Sequence, residues 1–283
     1  MDNQEKESRG GVPRLAMIND IAGFGRCSTT VSLPVISVMG VQVCPVPTSI
    51  LSNHLGFPVC HRDDYTPHMH SYIHAWKDLG LSFDGLYCGF LGNEKQIGIV
   101  EEFLSLFHPP LFLLDPVMGD HGKKYRSVTD SHCTALRRLC RHAQILTPNL
   151  TEACLLTDTP YKEDAWSEAE LQILCQKLSL LCPGSVVITG LHENGHFRNI
   201  CWEDHMQKTC VTPATGKSRP GTGDLFASIL VAGLLRGREL FPSVQKAADF
   251  VALCVRGTEA AGIPIQEGVL LEKYLPELLC SLS

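Results

Sequence analysis

Short apolar runs alternate along the chain with longer segments in which apolar residues recur at every third or fourth position. The short runs are typical of buried strands and the longer segments of helices with one buried face. This alternation predicts an α/β fold in which helices cover both faces of a mostly parallel sheet. The predicted strands are Leu15–Asn19, Val41–Thr48, Gly85–Gly89, Leu111–Asp115, Ile145–Leu146 and Val186–Thr189. The predicted helices are Ser28–Val38, Pro67–Asp78, Lys95–Leu106, Asp130–Arg141 and Asp164–Leu181.

The pattern changes after the last of these strands. Phe197–Trp202 and Lys208–Val211 alternate in the way that predicts a small β-hairpin, and three helical patterns follow it. The latter are Asp224–Leu235, Val244–Arg256 and Val269–Leu279. No internal repeat or Ser/Pro-rich linker divides the chain, so residues 15–283 are expected to form a single domain. The polar residues 1–14 are expected to form a disordered tail.

Composition narrows the function classes. The 283 residues are 44% hydrophobic and 19% charged, as in folded globular proteins. The formal net charge is -6, which lacks the basic excess that nucleic acids or anionic membranes attract. The polar N-terminus has no apolar secretory signal, and no apolar run approaches the ~20 residues of a spanning helix. Thirteen cysteines without any C-x-x-C pair favour reduced, mostly buried thiols in a cytoplasmic protein.

The segment Pro220–Asp224 places two glycines around a threonine directly before an apolar helix. Glycines let the backbone approach an anion closely, and the first amides of a helix donate hydrogen bonds to it. Asp224 would then be placed to take a proton from a hydroxyl that attacks a phosphorus held there. An ordinary glycine turn with Asp224 as helix cap explains the same residues.

Two further strand ends carry polar side chains. Asp115 and Asp120 flank a Pro/Gly turn after an apolar strand, where two carboxylates can hold a hydrated divalent cation. Asn149 and Glu152 follow the next strand, where the amide could contact phosphate oxygens and the carboxylate a metal-bound water. Capped turns are the alternative at both places, and Asn followed three residues later by Glu is also a common helix cap.

Other nucleotide-binding motifs are incomplete. Gly216–Ser218 resembles the end of a P-loop, but Val211 stands where that motif requires its first glycine. Gly23 and Gly25 begin a dinucleotide fingerprint, but Ser28 occupies the position of the third glycine. Neither a P-loop nor a Rossmann-type cofactor site is therefore expected.

Histidines cluster at His68, His70 and His74, and the last two are one helical turn apart. That spacing would permit a pair of metal ligands, but no H-E-x-x-H motif accompanies it. A solvated helix face is the favoured interpretation. No G-x-S-x-G motif indicates a hydrolase.

Three motifs in one order, DPVMGD at 115–120, TPNLTE at 147–152 and GTGD at 221–224, resemble the ribokinase-like superfamily. The segment Ser52–Phe57 is similar to the SNHTGY segment of pyridoxal kinases, and Ile18–Gly25 is similar to the opening of the bacterial pyridoxamine kinase branch. The resemblance runs from about residue 15 to residue 279. It implies a homodimeric, ATP-dependent kinase that phosphorylates the 5′-hydroxymethyl group of pyridoxal, pyridoxine or pyridoxamine, with Mg²⁺ and a monovalent cation such as K⁺.

The resemblance also implies roles for the motif residues in catalysis and cation binding. Asp224 matches the family's catalytic base, and the preceding residues match its anion hole: Gly221, Thr222 and Gly223. Asp120 and Glu152 match positions tied to magnesium, and Asp115 and Thr147 match positions near the monovalent cation.

The substrate-binding residues follow from the same resemblance. Asn149 matches a phosphate contact, Tyr125 an aromatic side chain near the nucleotide, and Thr189 the strand end after which contacts with adenosine begin. Asn19 and Asp20 match positions at the polar edge of the pyridine ring, and Leu55 lies in the substrate pocket.

Two departures leave the substrate open. Leu55 stands where pyridoxal kinases commonly carry Thr, and Asp20 stands where many carry Ser. Loss of one polar contact can change substrate discrimination by a large factor. The first alternative is therefore a hydroxymethylpyrimidine kinase of thiamine synthesis, and the second is a catalytically silent B6-binding protein of the same fold. A carbohydrate kinase of the ribokinase type would need a longer β lid than residues 197–211 provide.

Overall fold

The structure, a computed structural model, describes residues 11–279. Its strands are β1 (Arg14–Ala22), β2 (Gln42–Leu51), β3 (Arg62–Asp64), β4 (Gly85–Cys88), β5 (Leu111–Leu114), β6 (Gly119–Asp120), β7 (Lys123–Lys124), β8 (Ile145–Leu146), β9 (Ser185–Glu193), β10 (His196–Glu203) and β11 (Met206–Pro213). Its helices are α1 (Thr29–Val38), α2 (Thr66–Asp78), α3 (Glu94–Phe107), α4 (Asp130–Cys140), α5 (Leu150–Thr157), α6 (Glu168–Leu181), α7 (Thr222–Leu235), α8 (Leu240–Ala260) and α9 (Leu275–Leu279).

Nine strands form one sheet in the order β11-β10-β9-β8-β5-β4-β1-β2-β3. Every neighbouring pair from β9 to β2 is parallel, whereas β10, β11 and β3 are added antiparallel at the two ends. The short strands β6 and β7 form a separate hairpin. The mostly parallel sheet and the C-terminal hairpin that the pattern predicts are therefore confirmed.

The sheet carries a hydrophobic core on each face. Successive side chains of a strand point to opposite faces, so Leu86 and Phe112 pack on one side while Tyr87 and Leu113 pack on the other. Helices α2 to α6 cover the first face, and α1, α7, α8 and α9 cover the second. This arrangement leaves the carboxyl ends of the central strands free of helices, which is where open α/β sheets bind their ligands.

The ends of the chain differ from the prediction. Strand β1 begins at Arg14, so the expected tail ends earlier, and residues 1–10 of that tail lie outside the described residues. The last helix was expected from Val269 but covers only Leu275–Leu279. Its first half is not helical because Gly268 has a φ of 76° and Leu270 N donates to Thr258 Oγ1 at 2.8 Å.

Other elements deviate in extent or are missing from the prediction, and three of them show the reasons. Helix α6 begins at Glu168 rather than Asp164 because Ser167 and Glu170 form a capping box there. Helix α8 extends the predicted Val244–Arg256 at both ends. Strand β3 was not predicted, because its residues are all charged and pair only along one edge with β2.

Cysteine chemistry follows the expectation from composition. All twelve cysteines in the described part are free, and ten of them are buried. Burial raises the pKa of thiols such as Cys140 and Cys254 to about 12. The thirteenth, Cys280, lies outside the described residues. Within residues 11–279, no helix combines the length and the apolar character that crossing a bilayer requires.

Candidate active site

A cavity of about 1860 Å³ opens beyond the carboxyl ends of the central strands and the first turn of α7. Nearly all the side chains that the motifs single out meet in it, although they are dispersed over most of the sequence. The cavity is lined by Asp20, Leu55, Asp115, Asp120, Tyr125, Thr147, Asn149, Glu152, Thr189, Gly221, Thr222, Gly223 and Asp224. The structure therefore brings together thirteen of the sequence-predicted site residues, and only Asn19 is missing from the wall.

Gly221 determines how α7 enters the cavity. It precedes the helix with a φ of 82°, and a Cβ there would lie 2.0 Å from the Arg26 carbonyl oxygen. Only glycine is compatible with this conformation and this close approach. Gly223 differs, because a Cβ at this position would meet only Asp115 Oδ2, at 3.9 Å. Gly221 therefore permits the turn before α7, whereas Gly223 leaves the space at the start of α7 free of a side chain.

Asp224 lies in the first turn of α7, and Gly221 rather than Asp224 occupies the cap position. One carboxylate oxygen accepts a hydrogen bond from Ser28 N at 2.7 Å, and the other accepts one from Asn19 Nδ2 at 3.2 Å. Burial raises the pKa of Asp224, and these hydrogen bonds oppose that shift. The side chain is thus a fixed acceptor with increased proton affinity that faces the cavity, and the helix-cap alternative is wrong.

Asn19 lies behind Asp224, where its side chain is almost fully buried. Its Oδ1 accepts hydrogen bonds from Phe90 N at 2.9 Å and Asp20 N at 3.0 Å, and its Nδ2 is directed at Asp224. The resemblance implies that Asn19 contacts the pyridine ring. In the structure its Nδ2 donates to Asp224 and orients that carboxylate, and the contact of Asn19 with the pyridine ring stays a prediction.

Asp115, which follows β5, and Glu152, in the first turn of α5, are buried carboxylates that line the cavity. Burial raises the pKa of both, and the charge of Asp224 adds to the shift at Asp115, as the charge of Asp115 does at Glu152. Asp120, more exposed, adds further negative charge. A cation would relieve this repulsion, and carboxylate oxygens are the ligands that Mg²⁺ prefers. The chemistry of these oxygen ligands therefore suits a hard divalent cation bound partly through water, since the oxygens of Asp115, Asp120 and Glu152 do not all lie within 4.8 Å of one another.

Glu152 and Asn149 form a capping box at the start of α5, as the cap alternative predicts. Asn149 N donates to Glu152 Oε2 at 2.8 Å, and Glu152 N donates to Asn149 Oδ1 at 2.9 Å. Met118 N also donates to Glu152 Oε1, at 3.1 Å. The cap holds the Glu152 carboxylate in the cavity wall near Asp115, so capping and a place in the site are compatible. The phosphate contact of Asn149 stays a prediction.

Thr189 lies inside β9 rather than at its end, because the strand continues to Glu193 and into the hairpin. The continuation passes through Gly190, whose φ of 70° bends the strand. Asn199 Oδ1 accepts a hydrogen bond from Gly190 N at 3.1 Å and supports the bend. Thr189 still lines the cavity, and Tyr125 lines it as a half-exposed aromatic ring.

Leu55 lines the cavity together with His54 and Phe57, and half of the residue is exposed. The rings of Phe24 and Phe57 are 5.6 Å apart, and those of His54 and Phe57 are 4.6 Å apart. His54 Nε2 lies 2.6 Å from the Gln266 carbonyl oxygen, which fixes the loop against the C-terminal segment.

Sequence reasoning missed several cavity residues, among them His54, Phe57, His192 and Lys217. His54 and Phe57 belong to the segment that carries the resemblance, which was the available signal for them. Lys217 lies in the incomplete P-loop motif and reaches the cavity from an unrelated loop. No motif indicates His192.

Asp20 makes the stability depend on pH. Burial raises the pKa of its carboxyl from 3.8 to about 6, and nearby Asp224 adds to the shift. The folded protein therefore holds a proton that the unfolded chain releases, so this contribution is complete below pH 4 and is lost as the pH rises to 6. Wild type should therefore lose about 2 to 3 kcal/mol of its free energy of unfolding through this group as the pH rises from 4 to 7, and we expect Asp20→Asn not to show this loss. Urea unfolding of both proteins between pH 4 and pH 7 measures it, and parallel pH profiles would contradict the assignment.

The sequence profile of one kinase family, described as phosphomethylpyrimidine kinase, matches residues 75–269. The chain belongs to this family. Its fold and the order of its motifs also confirm the ribokinase-like, pyridoxal kinase-type relationship that the sequence resemblance implies. The chain therefore belongs to a kinase family of the phosphomethylpyrimidine/pyridoxal kinase type.

A similar solved structure is available in two crystal forms. A Bacteroides thetaiotaomicron protein, provisionally described as a phosphomethylpyrimidine kinase, is 36% identical, and the comparison covers 94% of both chains with a TM-score of 0.91. A second crystal form of that protein is described as containing pyridoxal, with a TM-score of 0.88 over 94% of this chain and 96% of the other.

Two curated relatives carry different kinase names. A Schizosaccharomyces pombe protein, provisionally named a pyridoxal kinase, is 28% identical over 68% of this chain, and the match spans only 58% of that protein. A hydroxymethylpyrimidine/phosphomethylpyrimidine kinase of Aquifex aeolicus is 23% identical over 90% of this chain and 93% of its own length. The family is therefore clear, whereas the two kinds of substrate are both represented among its similar members.

Proposed function

We propose that the protein is an ATP-dependent vitamin B6 kinase, which transfers a phosphoryl group to the 5′-hydroxymethyl oxygen of pyridoxal, pyridoxine or pyridoxamine. The observation that carries the proposal is the placement of Asp224. Its carboxylate is held in one orientation in the cavity wall, in the first turn of α7 and next to Gly223, which has no side chain. The similarity to the Bacteroides protein whose crystal form contains pyridoxal supports the substrate class.

Proton removal is assigned to Asp224. Ser28 N and Asn19 Nδ2 donate to its two oxygens and hold the carboxylate in one orientation, so it can accept the hydroxyl proton without first reorganising. Its raised pKa brings its proton affinity closer to neutral pH, where a general base works best. As the proton passes to Asp224, the 5′-oxygen attacks the γ-phosphorus of ATP, and the bond between that phosphorus and the β-phosphate oxygen breaks to release ADP.

Stabilisation of the negative charge on the transferring phosphoryl group is assigned to the first turn of α7. The free amides of a helix N-terminus and its dipole stabilise anions, and the missing side chain at Gly223 lets the phosphoryl oxygens approach them. In phosphoryl transfer, positioning and such electrostatic stabilisation supply most of the rate acceleration.

Cations complete the charge balance of the site. Asp120 and Glu152 would hold Mg²⁺, in part through water, and Mg²⁺ bound to ATP would neutralise negative charge on the phosphates. Thr147 is buried beside Asp115 and belongs to the proposed monovalent-cation site, for which K⁺ is the expected ion. Homodimerisation, which rests on the resemblance, and a cytoplasmic location, which rests on the cysteine usage, are part of the same proposal.

A second candidate is the phosphorylation of hydroxymethylpyrimidine. The Aquifex relative and the description of the family favour it, and Leu55 lacks the hydroxyl that pyridoxal kinases commonly place there. Turnover measured by ADP release with Mg-ATP and K⁺ on pyridoxal, pyridoxine, pyridoxamine and hydroxymethylpyrimidine separates the candidates. We expect the highest kcat/KM on a B6 vitamer; turnover on hydroxymethylpyrimidine alone would favour the second candidate, and none at all the silent binding protein.

Leu55 is expected to set the preference between the two ring systems. Because half of its side chain is exposed, Leu55→Thr should leave the fold intact and add a hydroxyl to the pocket. We expect the ratio of kcat/KM for pyridoxal to that for hydroxymethylpyrimidine to rise about tenfold. Leu180→Thr, on the exposed face of α6, is the matched control and should not change the ratio. An unchanged ratio in Leu55→Thr would show that Leu55 does not determine the substrate.

A further inference from the structure

A cluster of three metal-ligating side chains lies between α2 and α3, apart from the cavity. It consists of His70 and His74 on α2 and Glu102 on α3. None of the three lines the cavity. The spacing of the histidines is visible in the sequence, but the carboxylate is 28 residues away from His74 and reaches them only through the packing of the two helices.

The separations of the ligand atoms suit one small cation. Glu102 Oε1 lies 2.7 Å from His74 Nε2 and 3.2 Å from His70 Nε2. The ligand atoms of the three side chains all lie within 4.8 Å of one another. A tetrahedral ion with bonds of about 2.0 to 2.1 Å separates its ligand atoms by about 3.3 Å, so small side-chain rotations would complete the geometry.

The helices hold these side chains in place and leave them accessible. Residues four apart on a helix share one face, and the imidazoles of His70 and His74 stack with centroids 4.2 Å apart. Their side chains are 60% and 39% exposed, and that of Glu102 is 32% exposed. An ion from solvent can therefore reach the cluster.

Glu102 is also free of competing cationic side chains. Its neighbour Glu101 is bonded through both oxygens to Arg138, at 2.6 and 3.0 Å. Within the described part of the chain, no lysine or arginine forms an ion pair with Glu102, whose ion-pair partners there are the two histidines. The carboxylate is thus available to a metal ion.

We propose that His70, His74 and Glu102 form a binding site for Zn²⁺ or a similar first-row transition-metal ion, which links α2 to α3. Two imidazoles and one carboxylate are a ligand set that zinc prefers, whereas Mg²⁺ and Ca²⁺ favour sites made of oxygen ligands. The three side chains leave a fourth coordination position for water. The site is independent of the phosphotransferase cavity and of its substrate.

Zinc binding to the full chain, without an affinity tag, tests the proposal. Zn²⁺ is titrated against a competing fluorescent chelator in excess Mg²⁺, which occupies oxygen-only sites. We expect wild type to bind one more Zn²⁺ per chain than His74→Ala, or to bind it roughly tenfold or more tightly. Glu102→Gln should show a similar loss while keeping both histidines. Circular dichroism checks that each variant is folded. If His74→Ala is not folded, the comparison of wild type with Glu102→Gln tests the proposal.

His68→Ala is the matched control, since His68 is an exposed histidine of the same helix outside the cluster. It should bind Zn²⁺ like wild type. Co²⁺ provides a second readout, because a tetrahedral site gives it a strong visible absorption that should disappear in His74→Ala. Equal binding by wild type, His74→Ala and Glu102→Gln would overturn the proposal, and so would an equal loss in His68→Ala.

Discussion

Asp224→Asn is expected to lower turnover by roughly 10² to 10⁴-fold, the usual contribution of a positioned general base. The substitution keeps the shape of the side chain but removes its ability to accept a proton. Both oxygens of Asp224 accept hydrogen bonds, from Ser28 N and Asn19 Nδ2, so an amide nitrogen in one of these places also loses a bond. The defect should appear in kcat, while the affinity for ATP changes little.

Three measurements accompany this prediction. Steady-state kinetics gives kcat and KM, nucleotide titration gives the affinity for ATP, and thermal unfolding shows whether the variant is folded. Asp78→Asn, at the exposed end of α2, is the matched control and should behave like wild type. Near-normal turnover of a folded Asp224→Asn variant would show that another group removes the proton.

Gly223→Ala is expected to lower turnover without lowering stability, whereas Gly221→Ala is expected to lower stability. A methyl group at Gly223 meets nothing closer than Asp115 Oδ2 at 3.9 Å, so the fold should persist, and alanine is favoured over glycine in a helix by about 1 kcal/mol. The methyl would nonetheless occupy the space in front of the first amides of α7. We expect a loss of turnover of roughly 10² to 10³-fold, comparable to the loss of an oxyanion-hole donor, with unchanged or increased thermal stability.

Gly221→Ala should instead lose stability. The positive φ alone costs a non-glycine residue about 1 to 3 kcal/mol, and the Cβ would lie 2.0 Å from the Arg26 carbonyl oxygen. Thermal unfolding and ADP release on both variants measure the contrast. A stable, active Gly223→Ala variant would contradict the anion hole, and an undisturbed melting temperature in Gly221→Ala would contradict the strained turn.

The sequence predicts those parts of the fold that depend on local patterns. The central strands and the helices α1 to α4 follow from apolar periodicity, which records which faces are buried. Strand β3 does not, because its charged residues Arg62–Asp64 pair with β2 through backbone atoms. The segment at Gly268 and Leu270 also escapes prediction, since its conformation depends on a contact with Thr258 in another element.

The candidate site shows the same division. The short motifs identify Asp224, Asp115 and Glu152, because each lies at a strand end or in a first helical turn, where the local sequence is distinctive. The position of Asn19 behind Asp224 joins residues 205 apart and depends on tertiary packing alone. For that reason no local sequence pattern predicts the contact between Asn19 and Asp224.

A competition between two substrates tests the central proposal most directly. Pyridoxal and hydroxymethylpyrimidine are offered together at equal concentration with limiting Mg-ATP and K⁺, and the phosphorylated products are identified by mass spectrometry. The ratio of products reports the ratio of kcat/KM values without any separate estimate of either. A vitamin B6 kinase predicts pyridoxal 5′-phosphate as the major product. Hydroxymethylpyrimidine phosphate as the major product, or neither product from a folded protein, would contradict it.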